Sequence, residues 1–530
     1  MRGHPGGVVT RLVNSAGDFP VEAVHGFALA NARYVQQVHG GVVRSTESPS
    51  GQVAVVLGGG SGHYPAFAGW VGPGMAHGAV CGNILASPSA SQVESVVRAA
   101  DNKGGALLDF GKYAGDVLHF GQAAERLRAE GVDVRNVTVS DDIASDTPAN
   151  SAQRRWIAGD LLVFKIAGAA AEAGLGLDEV ERVSRRTNTR TRSLGVTFGG
   201  CTLPGADHAL FEVADGVMAI GLGIHGEPGI SDAPLGLTVV EPGVGDHVTS
   251  LDMEGLSLTI TFLDDELEQY WIAPIDTPAF RRGAVTDRPA RSGVIHATEV
   301  AAVVPGSAES QALAGRLTAA IRAMAACAVE NKTRLGGLDA IAGDGDHGQG
   351  MVLGTSDAAS AAEAARAAFA GARTLLVRAG AAWSESAGGT SGALWGAALT
   401  AMGNALSDSG DADPDALVAA VRQGAEAIFR LGGATSGDKT MVDSLVPFVD
   451  ALATARASGA SLSDAWADAA AAAATAAEAT SQIVARRGRA RTHGEHSLGH
   501  PDPGATSFAL LMAAVAAELA PSTPVTGELT

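Results

Sequence analysis

Gln52-Val53-Ala54-Val55-Val56-Leu57-Gly58-Gly59-Gly60-Ser61-Gly62-His63 decides the fold of the first half of the chain. Its first six residues make a largely β-branched, apolar run of the length of a buried strand. The run empties into glycines, which marks the carboxyl edge of an α/β sheet, where small molecules bind. No Gly-Lys-Ser/Thr follows, so the loop is not a P-loop. A glycine loop ending in histidine suits a small polyol: exposed N–H groups orient hydroxyls, and the imidazole moves a proton. Taken by itself, the loop reads equally well as a tight turn with a solvated histidine.

Strand-like runs recur at 105–110, 136–142 and 161–164, alternating with helical patterns such as 121–130 and 166–173, after one amphipathic segment at 21–38. This rhythm predicts a mostly parallel sheet with covering helices. Two more reactive groups stand just past strand-like runs. One is Asp116, in Lys112-Tyr113-Ala114-Gly115-Asp116; the other is His225, in Gly223-Ile224-His225-Gly226-Glu227-Pro228-Gly229. A lone histidine is more often structural. Two histidines and an aspartate, each beyond a strand and beside glycine, make an acid/base constellation.

A chain of 530 residues is too long for one ordinary core, so two or more domains are expected. Hydrophobic residues at 46% against 18% charged fit a globular protein with large cores. A formal net charge of −20 argues against nucleic acid or an anionic membrane as partner. It does not exclude an anionic nucleotide, provided that metal ions supply positive charge. Cys81, Cys201 and Cys327 leave one thiol over and lie far apart, which points to a reducing cytosol rather than a disulfide framework. No charged-then-apolar leader and no uninterrupted apolar run of membrane-spanning length stand out, so a soluble cytoplasmic protein is expected.

Strand periodicity is lost between 297 and 310, around Pro305-Gly306-Ser307. The division read from this is an α/β domain at 1–298, a linker at 299–312 and an all-helical domain at 313–530. Alanine dominates the latter, and 356–370, 393–404, 415–430 and 463–485 carry helical period. The alanine tract 465–477 reads as a closely packed helix. Leu338-Asp339-Ala340-Ile341-Ala342-Gly343-Asp344-Gly345-Asp346-His347-Gly348 sets three carboxylates where one helix ends and a glycine-rich bend begins. Carboxylates so clustered repel one another unless a hard cation lies between them. Mg²⁺ in particular leaves coordination positions for phosphate oxygens. The distal Glu of a calcium-binding EF-hand loop is absent. Three loops, at Gly388-Gly389-Thr390-Ser391-Gly392, Ser436-Gly437-Asp438-Lys439-Thr440-Met441 and His500-Pro501-Asp502-Pro503-Gly504-Ala505, put glycines and hydroxyls at helix starts. That is a phosphate-binding arrangement. Singly, each is more often a plain helix connection; with the three aspartates they become specific.

These motifs, with Arg155, the 165–170 run and Asn188-Thr189-Arg190-Thr191-Arg192-Ser193, resemble the dihydroxyacetone kinase family, in its order and over nearly the whole chain. The resemblance implies an α/β substrate domain followed by an all-α, nucleotide-binding helical barrel. It implies that His225 holds a short-chain ketose covalently as a hemiaminal, that His63 and Asp116 act on the hydroxyl to be phosphorylated, and that Gly60, Ser61 and Gly62 hold substrate hydroxyls. Asp339, Asp344 and Asp346 would carry two Mg²⁺ ions bridging the phosphates of ATP. His347, Gly348, Thr390, Ser391, Gly437, Met441, Asp502 and Gly504 would line the nucleotide site, with Gly488-Arg489-Ala490 and Gly494-Glu495 ahead of the last loop.

Fusion of both domains on one chain favours ATP as donor, and the family pattern implies a homodimer. Two departures stand beside the pocket. Tyr64 occupies the usual place of a glutamate, and Gly111 the place of a lysine, with Lys112 one residue late. Both look like the erythrulose-phosphorylating branch. The reading is an ATP-dependent kinase of D-erythrulose or dihydroxyacetone, with an L-erythrulose kinase or an FAD-cyclising lyase as alternatives. A non-catalytic sensor is the third class, and the complete set of aspartates argues against it.

Overall fold

The computed structural model describes residues 14–15, 17–198, 219–220, 245–250, 253, 255–291, 302–341, 343, 345–410, 413–487, 495 and 497–520. The chain divides into two compact units, Met1–Val300 with Gly388–Thr390, and Ala301–Ala387 with Ser391–Thr530.

The first unit runs α1 (Phe19–Ala30), β1 (Val35–Val38), β2 (Gly41–Arg44), β3 (Ala54–Ser61), β4 (Gly78–Ile84), α2 (Ala90–Ala100), β5 (Ala106–Gly111), α3 (Ala114–Ala129), β6 (Val134–Val139), α4 (Asp160–Glu172) and α5 (Leu177–Arg190). Then come β7 (Thr191–Thr197), β8 (Ala219–Ile220), β9 (Gly255–Thr261) and α6 (Asp265–Ile272). Six strands form one sheet in the order β1-β2-β4-β3-β5-β6. The four from β4 to β6 are parallel, and β1 and β2 are antiparallel additions. The apolar run of β3 is unbroken because both faces are covered. Val53, Val55 and Leu57 join a core with Trp70, Phe164 and Ile166, while Ala54 and Val56 join another with Val93, Val96 and Phe120.

Two readings change at this level. First, β3 does not end at the glycines but runs through them to Ser61. The glycines are there because neighbours press close: a Cβ on Gly58 would lie 2.8 Å from Val80 Cβ, and one on Gly59 2.7 Å from Phe67 Cε2. Second, 161–164 is not a strand but the first turns of α4. A four-residue apolar run fits a helix buried on most sides as well as it fits a strand. A separate three-stranded antiparallel sheet has the order β8-β7-β9.

The second unit's described residues are helical: α7 (Ala308–Asp339), α8 (His347–Ala367), α9 (Ala372–Ala387), α10 (Gly389–Ala405), α11 (Pro414–Gly432), α12 (Val442–Ala457), α13 (Leu462–Ala479) and α14 (Pro503–Leu519). Ser307, Asp413, Ser461 and Asp502 cap α7, α11, α13 and α14 through their side chains. The alanine tract is α13, which buries Ala465, Ala469, Ala470, Ala473 and Ala477. Small side chains let it close on its neighbours, and Ser444 Oγ donates to Ala473 O at 3.1 Å. Rings fill the centre: Trp383 stacks on Trp395 at 4.8 Å, and Trp395 on Phe508 at 5.9 Å. By length and composition α7 is apolar enough to cross a membrane. Its Leu313, Ile321, Met324 and Leu335 are nonetheless buried in the helical core.

Candidate functional site

The parallel strands of the first unit deliver their carboxyl ends to one edge. Ser61 ends β3, Gly62 turns the chain with φ +104°, and His63 follows, 2% exposed. His63 Nδ1 lies 2.7 Å from Thr249 O, which fixes the imidazole's tilt. Asp116 sits in the first turn of α3, 8% exposed, where the helix dipole favours a negative group.

Trp156 links the two. Its ring meets His63 edge-on at 5.2 Å and Tyr113, the residue capping α3, at 6.2 Å; Tyr113 Oη donates to Trp156 O at 3.2 Å. Trp156 is held in turn by the aspartates beyond β6. The fully buried Asp141 carboxylate accepts the N–H groups of Ile157 and Ala158 at 3.1 Å and of Gly159 at 2.7 Å. Arg155 Nε donates to Asp142 Oδ2 at 2.8 Å. Burial raises the Asp142 carboxyl above its ordinary range, against the pull of Arg155. Sequence reasoning quoted Asp141 and Asp142 only as a strand end and passed over Trp156. The available signal was a pair of carboxylates at a sheet edge followed, thirteen residues on, by an arginine.

The position expected to hold a lysine has no room for one. A Cβ on Gly111 would lie 2.6 Å from Trp156 Cδ2 and Cε3. At the other departure, Tyr64 is 39% exposed and is hydrogen-bonded to Ser61. It lines a cavity of about 360 Å³ with Gly60, Ser61, Phe67, Cys81 and Phe27.

In the second unit three helix N-termini converge. His347 opens α8, and its Nε2 lies 2.9 Å from Ser507 Oγ in α14. Gly504, in the first turn of α14, would put a Cβ 3.4 Å from Met441 N at the start of α12. Met441 follows a tight loop in which Asp443 accepts the N–H groups of Gly437 and Thr440, and Gly437 has φ +92°. Ser391 lies in the first turn of α10, whose Trp395 stacks on Phe508 of α14, while Thr390 just before it is grouped with the first unit. Orphan N–H groups at such termini favour an anion. Asp502 Oδ1 caps α14 through Ala505 N at 2.7 Å; burial pushes its carboxyl up to about 7, and Lys439 pulls the other way.

Asp339 ends α7, and its Oδ2 accepts the N–H of His347 at 3.2 Å. Asp346 is the residue before α8, and its side chain does not cap that helix. The bend folds over Asp339: a Cβ on Gly343 would fall 2.4 Å from Asp339 Oδ1. Hard carboxylate oxygens in a cradle that any side chain would fill suit a hard cation such as Mg²⁺. Among the described residues no group of three or more His, Cys, Asp or Glu side chains is placed to hold a metal. Asp344 and His225 lie outside the described residues, as do 488–490 and Gly494.

The Dak1 domain matches residues 25–237 and the DAK2 domain residues 341–517. The L-erythrulose 1-kinase of Mycolicibacterium smegmatis is 52% identical over 96% of this chain and 100% of its own. The D-erythrulose kinase of the same organism is 46% identical over 96% and 98%. The dihydroxyacetone-binding subunit of a phosphotransferase-system-dependent dihydroxyacetone kinase from Listeria innocua is 36% identical over 51% of this chain and 99% of its own. Among solved structures, the dihydroxyacetone kinase of C. freundii with AMP-PNP and Mg²⁺ is 28% identical over 96% of this chain and 99% of its own, with a TM-score of 0.46. The chain belongs to the dihydroxyacetone kinase family. Within it, the chain stands with the erythrulose kinases.

The alignments also show a shortfall. The Listeria alignment runs over 329 positions yet takes in 51% of 530 residues, about 270, so about 59 positions face no residue here. The alignment with the L-erythrulose 1-kinase runs over 573 positions for about 509 residues, leaving about 64. A shortfall of similar size thus appears against a relative that is a dihydroxyacetone-binding subunit alone.

Proposed function

We propose that the chain is an ATP-dependent kinase that phosphorylates a terminal hydroxyl of erythrulose, with the L-enantiomer as first choice. The observation that carries this is family membership with 52% identity to an L-erythrulose 1-kinase across both proteins, against 46% to a D-erythrulose kinase. It reverses the order given above, in which D-erythrulose stood ahead of the L-form. Residues 1–298 take the ketose, 299–312 link, and 313–530 take Mg·ATP, in a cytoplasmic homodimer.

In this reading a neutral imidazole nitrogen of His225 adds to the ketone carbon. The carbonyl π bond breaks, its oxygen takes a proton, the imidazole loses one, and a hemiaminal holds the sugar. Only a carbonyl compound can be captured so, which excludes glycerol. Gly60, Ser61 and Gly62 orient the remaining hydroxyls. His63 and Asp116 take the proton of the terminal hydroxyl as its oxygen attacks the γ-phosphorus in line and the bond to the β-phosphate oxygen breaks. Asp339, Asp344 and Asp346 would hold two Mg²⁺ ions, which offset the charge on the phosphates. His347, Gly348, Thr390, Ser391, Gly437, Met441, Asp502 and Gly504 line the nucleotide pocket.

The test is ADP release with Mg·ATP and L-erythrulose, D-erythrulose, dihydroxyacetone or glycerol. L-Erythrulose is expected to give the highest kcat/KM, and His225→Ala to lower it by at least 10³-fold, roughly the scale of losing a covalent anchor. Equal turnover of glycerol refutes capture by imidazole; a preference for D-erythrulose corrects the enantiomer.

A further inference from the structure

Lys439 stands where few lysines do. It lies in the loop before α12 with φ +61°, a left-handed backbone that favours glycine, and only 4% of it is exposed. Its Nζ donates to Ser497 O and, at 2.8 Å, to His500 O. Burial pushes the ammonium's pKa down, and the Asp502 carboxyl pulls the other way. A buried charge persists where it is hydrogen-bonded and paired, and this one is both. Asp438, one residue earlier, ties the same loop to 486–487. Its backbone O accepts Arg486 N at 3.0 Å, and its carboxylate meets Arg487 Nε at 3.4 Å. Ser497 Oγ joins the two ends of that stretch by accepting Ala485 N at 3.2 Å.

We propose that Lys439 is a positioning residue for the nucleotide: by gripping the 497–500 carbonyls it fixes the start of α14 against the start of α12. This deepens the nucleotide reading given above and rests on it. The two starts are close neighbours, since a Cβ on Gly504 would lie 3.4 Å from Met441 N. Gly437 and Met441 flank Lys439 at two residues on either side, and Asp502 and Gly504 follow His500 by two and four. One side chain thus spans the two loops that carry those four residues. An anion shared by the N–H groups of two helix starts is held only while the starts keep their spacing. The ammonium is turned to backbone carbonyls, so it acts through them and not on the phosphates. Glycine at 439 would suit the backbone better but could tie nothing; the strained conformation is held in place by the bridge.

Calorimetric titration of the full chain with Mg·ADP, steady-state kinetics and amide hydrogen exchange test this on wild type, Lys439→Met and Lys439→Gly. Lys439→Met keeps the hydrocarbon stem and loses the ammonium. Lys439→Gly also relieves the backbone, and it decides the matter if Lys439→Met does not fold. Both are expected to weaken Mg·ADP binding about tenfold or more and to raise KM for Mg·ATP alike, with KM for erythrulose within about twofold of wild type. Exchange of the 498–502 amides in the free protein should quicken in both. An equal rise in both KM values, the mark of general loosening, overturns the proposal. So do variants that bind Mg·ADP as wild type does, or unchanged exchange at 498–502; these leave the nucleotide site standing. A wild type that does not bind Mg·ADP overturns both.

Discussion

At the scale of single residues, Gly111 and Trp156 act as one packing unit. With the Cβ position 2.6 Å from the indole, even alanine must push the ring, and with it the contacts to His63 and Tyr113. Gly111→Ala is expected to cost about 1–3 kcal/mol in urea unfolding, the usual range for overpacking. It should also raise KM for the ketose more than it lowers kcat. A loss below about 0.5 kcal/mol, the range of neutral surface changes, means that the 155–159 turn yields freely.

Asp109 gives a second residue-scale prediction. Burial pushes its carboxyl up to about 7, although Ser184 Oγ donates to it at 2.7 Å. An unfolded aspartate releases its proton near 4. Between about pH 4 and 7 the folded state thus binds more protons, so this group makes stability fall as pH rises through that window, with no further change above it. The unfolding free energy of wild type relative to Asp109→Asn should therefore decline from pH 5 to pH 8; a constant difference contradicts the assignment. Residues such as His63, Asp116 and Asp339 stood out in the sequence as candidates because their residue types fall at motif spacing. Trp156 did not, since its role depends on backbone bonds to Asp141 and on a hole left by Gly111, neither of which is periodic.

At the scale of elements, helix starts carry the second unit. Asp502 caps α14 from a buried position, so Asp502→Ala removes an acceptor and leaves the Ala505 N–H unsatisfied. A loss of about 1–2 kcal/mol is expected in urea unfolding, whereas Asp502→Asn, which keeps an oxygen at the same place, should lose only a few tenths. Equal losses would mean that the charge facing Lys439, not the cap, is what stabilises α14. The helices themselves were plain in the sequence, because alanine-rich 3.6-residue periodicity has few competing readings. The short run at 161–164 was misread because four apolar residues carry no period. The glycines of β3 suggested a loop because the pressure of Phe67 and Val80 upon them is tertiary.

At the scale of the whole molecule, the α/β unit and the helical unit each have their own cores, so a ligand of one can be followed through its stability. If Asp339, Asp344 and Asp346 hold Mg²⁺ for a nucleotide, then Mg·ADP must stabilise the folded chain by mass action, independently of any ketose. At a hundred times Kd that is about 2.7 kcal/mol. For a unit of this size it corresponds to a rise of roughly 5–10 °C in melting temperature. Chelation with EDTA should abolish the shift, because the diphosphate end would then face three carboxylates with no charge between them. Asp339→Asn removes one charge but leaves an oxygen to accept the His347 N–H, so the unliganded melting temperature should move little while the Mg·ADP shift shrinks to a degree or so. A full shift in that variant, or one that persists in EDTA, would place nucleotide binding on the helix N-termini of α8, α12 and α14 alone and detach the aspartates from it.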